Sequence, residues 1–194
     1  MSALPKHRNA IINAAVTLFR RKGYAATGLS DIVEMSGAPK GSVYHYFPSG
    51  KASIGEAAVE EAGARVAETV QQLSDTTNSA GELVKAHAKL FAKWMTQSGY
   101  RDGSPITTVL LENAPADAAI TAAGRHAHDS WRRILSTKLV ADGFPKRRAD
   151  RLAILGTAAL DGALIQARVE QSGTPLLVVA DEFDAMLKAL AAAK

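Results

Sequence analysis

With 194 residues, 47% hydrophobic and 22% charged, the chain can bury a sizeable core, as one large helical domain or as a small module joined to a larger one. It has no cysteine, which excludes disulfides, thiolate catalysis and thiolate-bound zinc; MSALPKHR lacks the apolar core of a signal peptide, and no run of about 18 apolar residues suggests a membrane span, so a soluble, cytoplasmic protein is expected. The net charge of +4 is unevenly placed. Lys6, Arg8, Arg20, Arg21, Lys22, Lys40 and Lys51 against Asp31 and Glu34 give residues 1–51 a net +5, while residues 52–194 hold 16 basic and 17 acidic groups, net −1. A basic head on a near-neutral body points to a polyanion as the partner of the head alone.

Pro5 to Lys22 reads as the first helix, with Ile11, Ile12, Ala15, Val16, Leu18 and Phe19 as its buried stripe. Arg20, Arg21 and Lys22 suit the dipole of its last turn, and Gly23 stops it. Leu29 to Phe47, LSDIVEMSGAPKGSVYHYF, then reads as two short helices hinged at Ser36-Gly37-Ala38-Pro39. Leu29, Ile32 and Val33 give the first an apolar face. Gly37 can take the left-handed conformation that ends a helix, and Pro39 is tolerated only near the start of the next. In the second, Val43 and Phe47 face the core, leaving Lys40, Ser42, Tyr44, His45 and Tyr46 outward or at the rim. A cation, a hydroxyl and three ring side chains on one exposed turn suit a DNA groove and its phosphates, and Gly41 lets backbone approach closely. This is the pattern of a helix-turn-helix with Lys40 to Tyr46 as recognition helix.

GYAATGLSDIVEMSGAPKGSVYHYF resembles the DNA-binding signature of the TetR/AcrR family of transcriptional regulators over about Arg8 to Lys51. Ala-Thr-Gly-Leu, Ser-Gly-Ala-Pro-Lys-Gly-Ser and Phe-Pro-Ser-Gly-Lys are similar to its LmrA/YxaF branch. The resemblance implies a homodimeric repressor whose body binds a small inducer, aromatic and flavonoid-like in this branch, with an efflux or drug-response target. Where the family often carries a Ser or Thr that caps the second helix, this chain has Gly28, so Thr27 becomes the expected cap or phosphate contact. Lys40, Lys51 and Thr27 are expected on phosphates, Ser42, Tyr44 and His45 on base edges or thymine methyls, and Tyr46 on backbone phosphate. Gly50-Lys51 is not a nucleotide phosphate loop, because His45 stands where its first glycine would be and Ala52 replaces the Ser or Thr.

A long helix from about Ser49 to Ser74 is expected to join the DNA-binding domain, residues 1–51, to a helical ligand-binding and dimerisation domain, residues 52–194. Glu82 to Ser98, Pro105 to Asn113, Ala116 to Ala141, Lys146 to Gln171 and Pro175 to Ala193 read as further helices. No strand alternation or internal repeat is present, so the fold is all-α with about nine helices. His87, Phe91, Trp94, Met95, Ile106, Leu110, Trp131 and Leu135 can line an apolar site among these helices or form plain core. Glu112 and Asp161 lie within or beside apolar patterns, where a carboxylate needs a structural partner or a ligand donor. His126 and His128, two apart, fall on different helix faces, so no metal or other cofactor is expected. Leu152, Leu155, Gly156, Ala159 and Ala163, with Val179, Phe183 and Leu187 on the last helix, form stripes suited to a two-fold helix interface or to intrachain core. No nucleophile elbow, zinc-helix motif or dinucleotide fingerprint is present, so an enzyme is not expected.

Overall fold

The computed structural model describes residues 4–193, with side chains from His7 onward; the parts expected of Pro5 and Lys6 lie outside the described side chains. The described residues form nine helices, α1 (Leu4–Lys22), α2 (Leu29–Ser36), α3 (Lys40–Tyr46), α4 (Lys51–Thr76), α5 (Ala80–Gln97), α6 (Pro105–Asn113), α7 (Ala118–Ala141), α8 (Lys146–Glu170) and α9 (Thr174–Ala192). The all-α reading and the element order hold. Breaks fall where the chemistry puts them: Gly23, Gly37 and Gly143 sit at φ of 86°, 61° and 89°, in the left-handed region that glycine adopts without a Cβ clash. Gly37 closes α2 by donating its N–H to Val33 O at 3.1 Å and Glu34 O at 3.3 Å.

Packing divides the chain into two compact units, the first comprising residues through Ala64 together with Ser104–Ala127, the second Arg65–Gly103 and His128 onward. These units differ from a cut at residue 51, because α6 and the first part of α7 pack with the N-terminal helices. In this head unit Phe19, Ile11, Ile32, Val43, Phe47, Ile54, Val109 and Ile120 share one core. Gly63 lets α4 lie directly on α7, since a Cβ there would stand 2.6 Å from that of Ala127.

The body unit is built from the rest of α4 and α7 with α5, α8 and α9 around a core that includes Leu83, Leu135, Leu139, Leu160, Leu176, Phe183 and Leu187. Its helix ends are capped by named side chains. Ser79 accepts the N–H of Glu82 at 3.2 Å while Glu82 accepts that of Asn78 at 2.8 Å, and Asp142 accepts Ala80 N–H at 2.7 Å. Lys138 donates to Ser74 O at 2.8 Å and to Thr77 O, covering carbonyls at the end of α4.

One expectation needs correcting. By length and composition α8 is long and apolar enough to cross a membrane. Its apolarity has a packing cause: Leu152, Ala153, Gly156, Leu160, Ala163 and Ala167 are buried in the body core, and a second apolar row lies on the outer face.

Candidate functional site

The reading helix is short, and its place is fixed from below. Val43 and Phe47 are buried in the head core, 1% and 2% exposed, which turns Lys40, Gly41, Tyr44 and His45 to solvent. Ser42 and Tyr46 are half-buried at the rim, and the His45 and Tyr46 rings meet edge to face, centroids 4.9 Å apart. Ser42 N–H donates to Pro39 O at 2.8 Å, and Ser36 shapes the preceding turn by accepting Ala38 N–H at 3.2 Å. Nothing lies within 4 Å of where a Cβ on Gly41 would be. No intramolecular packing therefore requires a glycine there.

Thr27 does not stand where a phosphate contact needs it. It is 0% exposed, and its hydroxyl donates to Gly23 O at 2.8 Å. Gly28 itself begins α2: its carbonyl accepts Ile32 N–H at 3.3 Å and its N–H donates to Asp31 Oδ2 at 3.2 Å. The carboxylate at the third helical position thus supplies the reciprocal half of a capping box, taking the cap residue's own N–H, and it also pairs with Lys22 at 3.6 Å.

Lys51 is turned onto the α1–α2 loop, donating to Ala25 O at 3.3 Å with its ammonium 4.4 Å from the centre of the Tyr24 ring. Burial holds its pKa below the usual lysine value, while the charge of Glu112 works in the other direction. Glu112, expected among ligand contacts, has a different occupation. Its two oxygens accept the N–H groups of Tyr24 and Ala25 at 3.0 and 2.5 Å. Thr108, also on α6, shares its hydroxyl proton between Ser104 O at 3.0 Å and Phe19 O at 3.3 Å. These contacts, which dock α6 on the head, had no signature in the sequence.

The remaining candidate ligand residues separate by unit. Ile106 and Leu110 pack against the head core. In the body unit His87, Phe91, Trp94 and Trp131 come together: His87 lies 4.2 Å from the Phe91 ring and 5.0 Å, edge to face, from Trp131, and Phe91 lies 5.8 Å from Trp94. Met95 and Leu135 are buried in the body core. Asp161 is half-buried on α8; burial raises its pKa, and the nearby charges of His128 and Arg132 oppose the rise. Among the described residues no group of three or more His, Cys, Asp or Glu is placed to hold a metal ion.

The expected pairing stripe also divides. Leu152, Gly156, Ala163, Phe183 and Leu187 are buried in the body core of their own chain, Phe183 closing on Gly156 so tightly that a Cβ there would stand 2.9 Å from its ring. Ala159 and Val179 are half-buried, and Leu155 is exposed. The outward row on α8 is Leu155, Ala158, Gly162, Ile165 and Val169, at alternating spacings of three and four; only Gly162 in it is half-buried, and Leu177 and Val178 are exposed on α9. Alternating spacings of three and four put these residues in one stripe along the helix.

A basic three-helix head presenting a short recognition helix, followed by a helical body, defines a helix-turn-helix DNA-binding regulator. Sequence comparison agrees. The family described as bacterial regulatory proteins, tetR family, matches residues 11–58, and the one described as transcriptional regulator LmrA/YxaF-like, C-terminal domain, matches residues 80–182. An uncharacterized HTH-type transcriptional regulator of Mycobacterium tuberculosis is 34% identical over 177 residues, 89% of each chain. The HTH-type regulator YxaF of Bacillus subtilis is 30% identical over 97% of this chain and 98% of its own. Among solved structures, a TetR transcriptional regulator from Chloroflexus aurantiacus superposes with a TM-score of 0.78 at 27% identity, covering 97% of both chains. The chain belongs to the TetR family of DNA-binding transcriptional regulators, with a body of the LmrA/YxaF type.

Proposed function

We propose that the protein is a ligand-responsive repressor that binds a palindromic operator as a homodimer and is released by a small hydrophobic or aromatic inducer. The observation that carries the reading is the solvent-facing turn of α3, where Lys40, Gly41, Tyr44 and His45 are exposed over a buried Val43. Lys40 supplies phosphate neutralisation, Gly41 allows close backbone approach, and Tyr44 and His45 reach base edges and thymine methyls. Lys51 takes a phosphate on leaving the Ala25 carbonyl. Two heads read half-sites about one helical turn apart, ~34–36 Å, or a multiple of it.

Pairing is supported by the outward row from Leu155 to Val169, which is apolar and carries no charge over four turns of a surface helix. A two-fold axis there matches the row with itself. Effector binding is supported by the aromatic group on α5 and α7. A ligand that binds the body better in one head spacing than in another shifts the population by that difference in affinity, and tight binding alone does nothing.

The test is binding to a labelled duplex carrying the protein's own upstream region, titrated at several salt concentrations with competitor DNA. Saturable binding that survives competitor and falls steeply with salt is the expected result. Binding that competitor abolishes would contradict an operator in that region.

A further inference from the structure

We infer that His87 is the polar anchor of the effector site, selecting flat ligands that carry a hydroxyl over the bare hydrocarbon and over the carboxylate. The inference rests on the effector-binding reading above and names the chemistry of that site. His87, Phe91 and Trp94 are spaced i, i+4 and i+7, one face of α5. Along that face exposure rises from 1% at His87 through a half-buried Phe91 to 43% at Trp94. Trp131 closes the far side of the imidazole at 5.0 Å. The face thus runs from an exposed indole past Phe91 to a buried imidazole with one unpaired nitrogen.

That atom is His87 Nε2, which is buried and has no hydrogen-bond partner. Buried polar atoms in folded proteins are nearly always paired, so an orphan among aromatic rings points to a partner that arrives from outside. A neutral imidazole offers Nε2 as donor in one tautomer and acceptor in the other. A hydroxyl both donates and accepts, and so completes either tautomer. A hydrocarbon of the same outline leaves the nitrogen unpaired. A carboxylate can only accept, and it brings a charge into apolar surroundings where the imidazole, pushed by burial to about 4, stays neutral at physiological pH and gives no counter-charge.

The experiment uses the full-length protein and three probes of one shape, naphthalene, 2-naphthol and 2-naphthoate, measured by equilibrium dialysis at neutral pH. 2-Naphthol should bind about tenfold more tightly than naphthalene, the effect of one hydrogen bond to an otherwise unpaired atom. 2-Naphthoate should bind more weakly than either. His87→Phe keeps an aromatic ring but removes the nitrogen, and should bring 2-naphthol and naphthalene to equal affinity. His87→Gln keeps a hydrogen-bonding group and should retain part of the preference, which serves where the phenylalanine variant fails to fold. Equal binding of the three probes to the unaltered protein, or a hydroxyl preference that persists in His87→Phe, would overturn the assignment while leaving an effector site in place. Absence of binding by all three would overturn the aromatic effector site itself, and the anchor with it.

Discussion

Glu112 and Tyr24 are joined carboxylate to backbone amide at 3.0 Å across 88 residues, and the same carboxylate takes the next amide, that of Ala25, at 2.5 Å. Two N–H groups of an irregular loop are thereby satisfied by one side chain of α6. The loop leads straight into α2, so α6 helps set where the helix-turn-helix begins. Its packing also leaves little slack, because a Cβ on Gly23 would stand 3.1 Å from Glu112 Oε1. Glu112→Ala should accelerate hydrogen exchange at the Tyr24 and Ala25 amides. It should cost about 1.5 kcal/mol, the low end for bonds to a charged group because the site faces solvent. Glu112→Gln, keeping one acceptor, should fall between. Unchanged exchange at both amides would mean that backbone packing alone holds the loop.

Gly81 and Asp184 form a second relationship in which one residue type is obligatory. Asp184, buried, is held by Lys85 at 2.9 Å and Lys188 at 2.8 Å, and its Oδ1 would lie 2.1 Å from a Cβ on Gly81. Gly81→Ala must move a carboxylate pinned by two lysines, and should destabilise by about 1–3 kcal/mol in urea denaturation. Gly41→Ala is the control for folding, since nothing lies within 4 Å of its missing Cβ and it lies outside the proposed pairing row. Its effect on folding should be small and that of Gly81→Ala large. Equal effects would show that the Asp184 carboxylate moves aside freely.

Stability should depend on pH through His87. Burial lowers its pKa from 6.5 to about 4. The unfolded chain therefore binds the proton first, so stability is full above 6.5 and is lost as pH falls from there toward 4, with no further change below. At about 1.4 kcal/mol per pH unit the loss amounts to roughly 3 kcal/mol. His87→Phe should abolish this component. Subtracting its denaturation midpoints from those of the unaltered protein between pH 7 and 4.5 cancels the carboxylates common to both. Parallel curves would show that the imidazole can protonate without leaving the fold.

Ile165→Glu places a charge in the middle of the exposed α8 row. Sedimentation should show the unaltered protein as a dimer and the variant as a monomer, with far-ultraviolet circular dichroism unchanged and operator affinity reduced. Leu187→Glu, by contrast, should unfold the body, because that side chain is buried in the chain's own core. A dimer that survives Ile165→Glu would place the two-fold axis on another surface.

Much of this was legible in the chain. Period and breakers marked the helices, and Pro105 to Asn113 was bounded on both sides, since Ser104 caps it and Ala114-Pro115 follows. The two anchors of α3, Val43 and Phe47, follow from a four-residue spacing alone, and with them the residues left outside. What the sequence did not reveal has physical causes. A hydroxyl at Thr27 suits a cap by residue preference, but it donates backwards to Gly23 O, and the side-chain bond at this helix start is Gly28 N–H to Asp31. The choice between pairing and intrachain core for the stripe residues stays open in the sequence because α8 is apolar on two faces. Periodicity finds such a face without saying whether the chain's own core or another helix covers it. The structural partners of Glu112 are backbone amides far away in sequence, and an amide carries no residue type to betray it.

The measurement that tests the account most directly is a hydroxyl-radical footprint on the protein's upstream region, run with the unaltered protein and with Tyr44→Ala. Two protected stretches about one helical turn or a multiple of it apart, related by two-fold symmetry and lost in a Tyr44→Ala protein that still folds and dimerises, are the predicted result. A footprint that Tyr44→Ala leaves intact would show that α3 does not read the groove.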